Sequence, residues 1–178
     1  LAALIGATLG LAGAAMQGLL RNPLAEPGIL GVSASAGLGA VIVLYFGIAQ
    51  VFTFALPIAG MVGALAAVLL TYALSGRDAS ILTLILAGVA LNAFAAALTS
   101  LALNLAPSPY AALEIVFWLL GSLADRSFEH VAIGLPLMVI GGLLFIGTGR
   151  ALDALSLGED VARSLGINLR VVRARLIL

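Results

Sequence analysis

Few residues in this chain have the type and spacing to do chemistry, and each has a plainer use. The single histidine, His130, has no second His and no Cys to share a metal with, because the chain contains neither. An interfacial histidine opening a helix accounts for it. Glu114, Asp125 and Glu129 fall close together and could be paired as acid and base, or could be ordinary solvated loop acids. No nucleophile motif or phosphate-binding glycine loop is present, so no catalytic residue and no metal ligand is assigned. Two patterns remain. Gly88, Asn92, Ala96 and then Thr99 or Ser100 recur at helical spacing, giving a small, uncharged, hydrogen-bonding face that a polar solute could follow or a neighbouring helix could pack on. Ser156-Leu157-Gly158-Glu159 has the S-x-x-E form of a capping box, with serine and glutamate satisfying each other's backbone donors. Glu159 and Arg163 then stand four apart as a weak pair. Val161, Ala162 and Leu165 share one side, and Gly166 offers the stop.

The elements that must hold these residues are set by composition. The chain is 63% hydrophobic and 9% charged, whereas soluble domains carry about a quarter charged residues. Several apolar runs reach the roughly 20 residues needed to cross a bilayer. The reading is therefore an all-α, polytopic transmembrane helical bundle. Net charge is zero, which gives no nucleic-acid signal and leaves lipid as the solvent to explain.

In order, the spans are Leu1–Leu20, Val32–Phe46, Leu56–Leu74, Ser80–Leu105 and Phe128–Gly147, with the start of a sixth after Arg175. The chain reads as an internal piece of a longer polypeptide, one transmembrane domain over 1–178. Gly6 and Gly10 form a G-x-x-x-G for close helix approach. Arg21-Asn22-Pro23 ends the first span, with Glu26 as a loop cap or a partner for Arg21. Gln17 and Asn22, like the Gly88 face, suit packing or a pathway. The turn between spans two and three lies within Gly47–Pro57. Tyr110–Leu123 is too short to cross and reads as an interfacial or re-entrant helix. Pro136 is a candidate kink.

Orientation follows from arginine. Every basic residue is Arg, eight in all. If the Arg21 loop is cytoplasmic, alternation places Arg77 and the whole Arg150–Arg175 segment there too, leaving only Arg126 outside. The positive-inside rule selects this arrangement. Tyr45, Phe46, Phe52, Phe54, Tyr110, Phe117, Trp118 and Phe128 then fall near the outer face. No span retains a charge at mid-bilayer, where one costs at least about 2.5–3.5 kcal/mol. That counts against a proton-coupled secondary transporter, the alternative reading, unless absent spans carry the charge. A basic membrane-surface helix is also a poor fit to 151–170, because Glu159 and Asp160 open its second half.

Four ordered motifs carry a resemblance. Gly18 through Gly31, GLLRNPLAEPGILG, resembles the QGxxRNPLAxPxxLG signature of permeases from importers of iron-siderophore, haem and cobalamin. Leu86–Asn92, LAGVALN, is similar to their LAGVAL segment, and Trp118–Leu123, WLLGSL, to their W-x-x-G-S-L. Leu155–Gly166, LSLGEDVARSLG, resembles their LxLGExxARxLG. The resemblance implies a ten-span permease that works as a homodimer or paired with a second permease. It would receive substrate from a periplasmic or surface binding protein and be driven by ABC ATPase subunits, which use the ATP; no cofactor is bound directly. The implied place is a bacterial or archaeal cell membrane, the inner one if Gram-negative. On this resemblance Leu155, Gly158, Glu159, Ala162, Arg163 and Gly166 form the ATPase-coupling surface, within cytoplasmic helices over 151–170. Asp78, Ser80 and Thr83 lie near a cytoplasmic gate, and Gly88, Asn92, Thr99 and Ser100 border the translocation path. Phe128 departs from the family, where many relatives have Trp. Outer basic residues for docking a binding protein are expected to lie mostly outside this piece of the protein, with Arg126 a weak substitute.

Overall fold

The computed structural model describes residues 1–76, 80–124 and 126–177. Arg77, Asp78, Ala79 and Asp125 lie outside these, so the expectations placed on Arg77, Asp78 and Asp125 do too. Among the described residues the regular elements are all helical: α1 (Ala2–Leu20), a 3-10 turn (Pro27–Leu30), α2 (Val32–Tyr45), α3 (Ile48–Val51), α4 (Ala55–Ser75), α5 (Ile81–Asn104), α6 (Pro109–Leu120), α7 (Phe128–Phe145), α8 (Gly149–Ser156), α9 (Glu159–Ser164) and α10 (Leu169–Ile177). Four of them, α1, α4, α5 and α7, are long and apolar enough to cross a membrane, while α2 and α6 are shorter apolar helices. The molecule is a polytopic transmembrane helical bundle. Its long helices are apolar around most of their circumference, as lipid-facing helices must be. α7 runs through Pro136 as one helix.

The chain forms two compact units, Gly28–Ser122 and the pair of segments Leu1–Pro27 and Leu123–Leu178. In the first, α2 is the central element. Small residues let α4 lie directly against it: a side chain on Gly39 would strike the backbone oxygen of Ala59, and one on Gly63 the backbone oxygen of Ser35. With so little side chain between them, dispersion between backbones holds the pair, as is usual where lipid offers no hydrophobic drive. Val41, Leu44 and Ile115 make a buried cluster that fixes α6 onto α2. α6 begins at Ser108, whose hydroxyl accepts from the Ala111 N–H at 3.2 Å, with Pro109 in the first turn. The Tyr45 hydroxyl donates to the Leu105 carbonyl at 3.0 Å, tying the end of α2 to the end of α5.

In the second unit α1 ends with Arg21 in the left-handed region, φ 50°. That conformation disfavours a residue with a Cβ by about 1–2 kcal/mol, and the turn after it offsets the cost. The Asn22 N–H reaches the Gln17 carbonyl at 3.1 Å, and the Asn22 side chain accepts from the Leu24 N–H at 2.9 Å. Asn22 is therefore the residue that makes the turn. Glu26 is exposed, and among the described residues no ion pair joins it to Arg21.

Candidate functional site

The polar 149–177 stretch folds as three short helices. α8 buries Ala151, Ala154 and Leu155 and exposes Arg150, Asp153 and Ser156. Its seat is on α1, where Gly18 leaves room for Leu152: a Cβ there would come within 3.1 Å of the leucine Cδ2. The glycine of the first motif thus receives a neighbour of the fourth.

The capping box does not form. The Ser156 hydroxyl donates back to the Asp153 carbonyl at 2.6 Å, so Ser156 closes α8 and does not open α9. Gly158 is the residue before α9, at φ 120°, a conformation that excludes a side chain. This turn sets the phase of α9. Ala162 points inward and is buried, whereas Val161 and Leu165, expected beside it, are 40% and 63% exposed. Leu157, four residues before Val161, is 69% exposed. Val161 and Leu165, joined by the Leu165 N–H bond to the Val161 carbonyl at 3.0 Å, are therefore the exposed apolar side of α9, with Leu157 exposed in the turn before it.

α9 ends at Gly166, φ 79°. The Ile167 N–H bonds the Ala162 carbonyl and the Gly166 N–H bonds that of Arg163, each at 3.0 Å. This is the double bond of a Schellman ending. Asn168 then opens α10, accepting from the N–H groups of Arg170 at 3.1 Å and Val171 at 3.4 Å. The Glu159 carboxylate joins the helices. Oε2 takes Arg163 Nη2 at 3.2 Å within α9, and Oε1 takes Arg173 Nη2 of α10 at 2.6 Å. Arg163 also reaches Asp160 at 3.4 Å.

Of the six residues expected to couple, Glu159 and Arg163 are thus paired on the surface, Gly158 and Gly166 shape the turns, and Leu155 and Ala162 are buried. The two buried ones pack inward beneath the exposed side chains. Leu157, Val161 and Leu165 are exposed beside them, which only the phase of the 157–158 turn could have revealed. Arg173 was missed because it lies fourteen residues from Glu159, beyond any local spacing rule.

The face on α5 divides. Gly88 is buried, and a Cβ on it would sit 2.5 Å from the Ile29 oxygen and 2.7 Å from the Leu30 Cα. That position is a close backbone contact with the 3-10 turn. Asn92 and Ser100 are exposed and Thr99 half-buried. At the start of α5, Ser80 accepts from the Thr83 N–H at 3.1 Å, and the two hydroxyls lie 2.9 Å apart. Ser80 and Thr83 are together as the cap of α5. His130 meets Ser127 Oγ through Nδ1 at 3.1 Å at the start of α7. Among the described residues no three His, Cys, Asp or Glu side chains converge as a metal site would require.

The model of the FecCD transport family matches residues 1–178. The chain belongs to that family. It is 44% identical over 175 residues to the ABC transporter permease protein YvrB of Bacillus subtilis (strain 168), covering 96% of this chain and 49% of the relative. It is 42% identical over 178 residues to the ferric enterobactin transport system permease protein FepD of Escherichia coli (strain K12), covering 98% and 52%. With the vitamin B12 import system permease protein BtuC of Salmonella typhi it shares 35% over 176 residues, covering 98% and 53%. A solved chain described as an inward-facing conformation of a metal-chelate type ABC transporter superposes with a TM-score of 0.85 at 29% identity, over 98% of this chain and 56% of the other. This FecCD chain spans about half the length of the curated relatives it matches. Together with four membrane-length helices, these matches make it part of a multi-pass membrane protein.

Proposed function

We propose that the full-length protein is the permease subunit of a binding-protein-dependent ABC importer for iron-siderophore, haem or cobalamin, and that 151–170 is where an ABC ATPase seats. The observation that supports this best is the exposed Leu157–Val161–Leu165 edge. It stands on a block of three short helices that is capped, ion-paired and keyed onto α1 through Gly18. A short apolar edge beside paired charges suits a groove on a partner protein. A lipid surface would select a longer apolar face and a basic rim.

In this reading the segment faces the cytoplasm, with seven of the eight arginines on that side. α10 is the cytoplasmic end of the next span. Asp78, Ser80 and Thr83 lie near the inner gate, and Gly88, Asn92, Thr99 and Ser100 border the path of a polar solute. Two such permeases, identical or paired, form the pore, a periplasmic or surface protein delivers the substrate, and the ATPase subunits hydrolyse the ATP. The protein itself then carries out no covalent chemistry.

Uptake tests the proposal. Cells lacking their own importers and expressing the full-length protein with its ATPase and binding protein are given radiolabelled ferric siderophores, haem and cobalamin. Uptake of one class that vanishes when the ATPase is inactivated is the expected result. Uptake that survives without the ATPase and collapses when the proton gradient is dissipated would establish a secondary transporter instead.

A further inference from the structure

The Glu159–Arg173 contact differs from the other ion pairs of the segment. Glu159–Arg163 and Asp160–Arg163 lie within α9, and both leave Arg163 59% exposed. Arg173 is only 12% exposed, its partner 26%, and the contact is 2.6 Å long. Charge-assisted N–H···O bonds run to about 2.7–2.9 Å, so this one is at the short end. Shielding from water strengthens the attraction within the pair but also costs the desolvation of both charges. Its position matters more. The connection from α9 to α10 is Leu165 to Asn168, closed by the Gly166 ending on one side and the Asn168 cap on the other. Those bonds fix each helix end, and packing holds the angle between the helices, with Leu169, Val172, Leu176 and Ile177 of α10 and Ala162 of α9 buried. An ion pair from the first turn of α9 to the middle of α10 crosses that angle as a strut. Because the carboxylate has a second oxygen, Arg163 can stay bound while Arg173 holds the strut.

We infer that Arg173 is a positioning residue. Through Glu159 it locks α9 to α10, so that displacement of the ATPase-facing helix is delivered to the membrane helix that α10 begins. This rests on the function proposed above and gives that surface its mechanical link. Docking and transmission are then separate. The exposed edge of α9 makes the first, and the strut makes the second.

The test uses the full-length permease reconstituted with its ATPase, with a nitroxide spin label on Arg175→Cys. That position is exposed at the end of α10, and the full-length protein used is freed of any other cysteine. Spectra are compared without nucleotide and after trapping with ATP and vanadate. In the otherwise unaltered protein the label responds to trapping. In Arg173→Gln the ATPase co-purifies within twofold of that level, but the response falls at least fivefold. Arg173→Lys, which keeps the charge, restores at least half of it. Asp160→Asn, which alters an acid within α9 only, leaves it intact.

A full response in Arg173→Gln overturns the strut, as does a Lys variant no better than Gln. So does an ATPase that no longer co-purifies with Arg173→Gln, because Arg173 would then be serving docking. If no ATPase binds even the unaltered permease, the functional reading fails first and the strut with it.

Discussion

At the scale of single residues, the motifs divide between side chains that meet a partner and side chains that make the meeting possible. Glu159 does the second. Glu159→Arg sets a third cation against Arg163 and Arg173, and uptake is predicted to fall at least tenfold in membranes that still contain the protein; undiminished uptake would remove Glu159 from the coupling segment. Gly88 makes the same point inside the bundle. Gly88→Ala brings a Cβ within 2.5 Å of the Ile29 oxygen, which the backbone relieves only by moving, at a cost of about 1–3 kcal/mol. A melting temperature several degrees lower, measured on purified full-length protein, is expected. An unchanged one would mean that the turn at Pro27–Leu30 yields freely.

At the scale of elements, helix ends decide what the surface looks like. Ser80 caps α5, and Ser80→Ala is predicted to destabilise it by about 1 kcal/mol, seen as faster hydrogen exchange confined to the first turns of α5. The same physics explains what the sequence concealed. Ser156 has the right neighbour for a capping box, yet its hydroxyl turns back to Asp153, because Gly158 takes φ 120° and starts α9 later. Starting at Glu159 instead of Leu157, two residues later, α9 turns Ala162 inside and leaves Val161 and Leu165 out. Long apolar runs were legible since a span must be apolar almost throughout, so α1, α4, α5 and α7 emerge close to their expected bounds. The α2–α4 approach was not legible. Gly39 and Gly63 lie far apart in the chain and only the fold brings each against a backbone oxygen. Arg173 is the clearest case, a charge whose partner is a matter of tertiary geometry alone.

At the scale of the whole molecule, topology and assembly carry the function, and both extend beyond this half-length chain. Orientation can be measured with cysteines placed at Leu165 and Tyr110 in a full-length protein free of other cysteines. A membrane-impermeant maleimide is predicted to modify Leu165→Cys only in inverted vesicles and Tyr110→Cys only in right-side-out ones; the reverse would invert the positive-inside reading. The central claim is that the Leu157–Val161–Leu165 edge seats an ATPase, and site-directed photocrosslinking tests it most directly. With a benzophenone amino acid at Leu165 of the full-length permease, illumination is predicted to yield an adduct with the ABC ATPase subunit, and the same probe at Tyr110 none. Absence of an ATPase adduct from Leu157, Val161 and Leu165 alike, in a complex that still hydrolyses ATP, would contradict it.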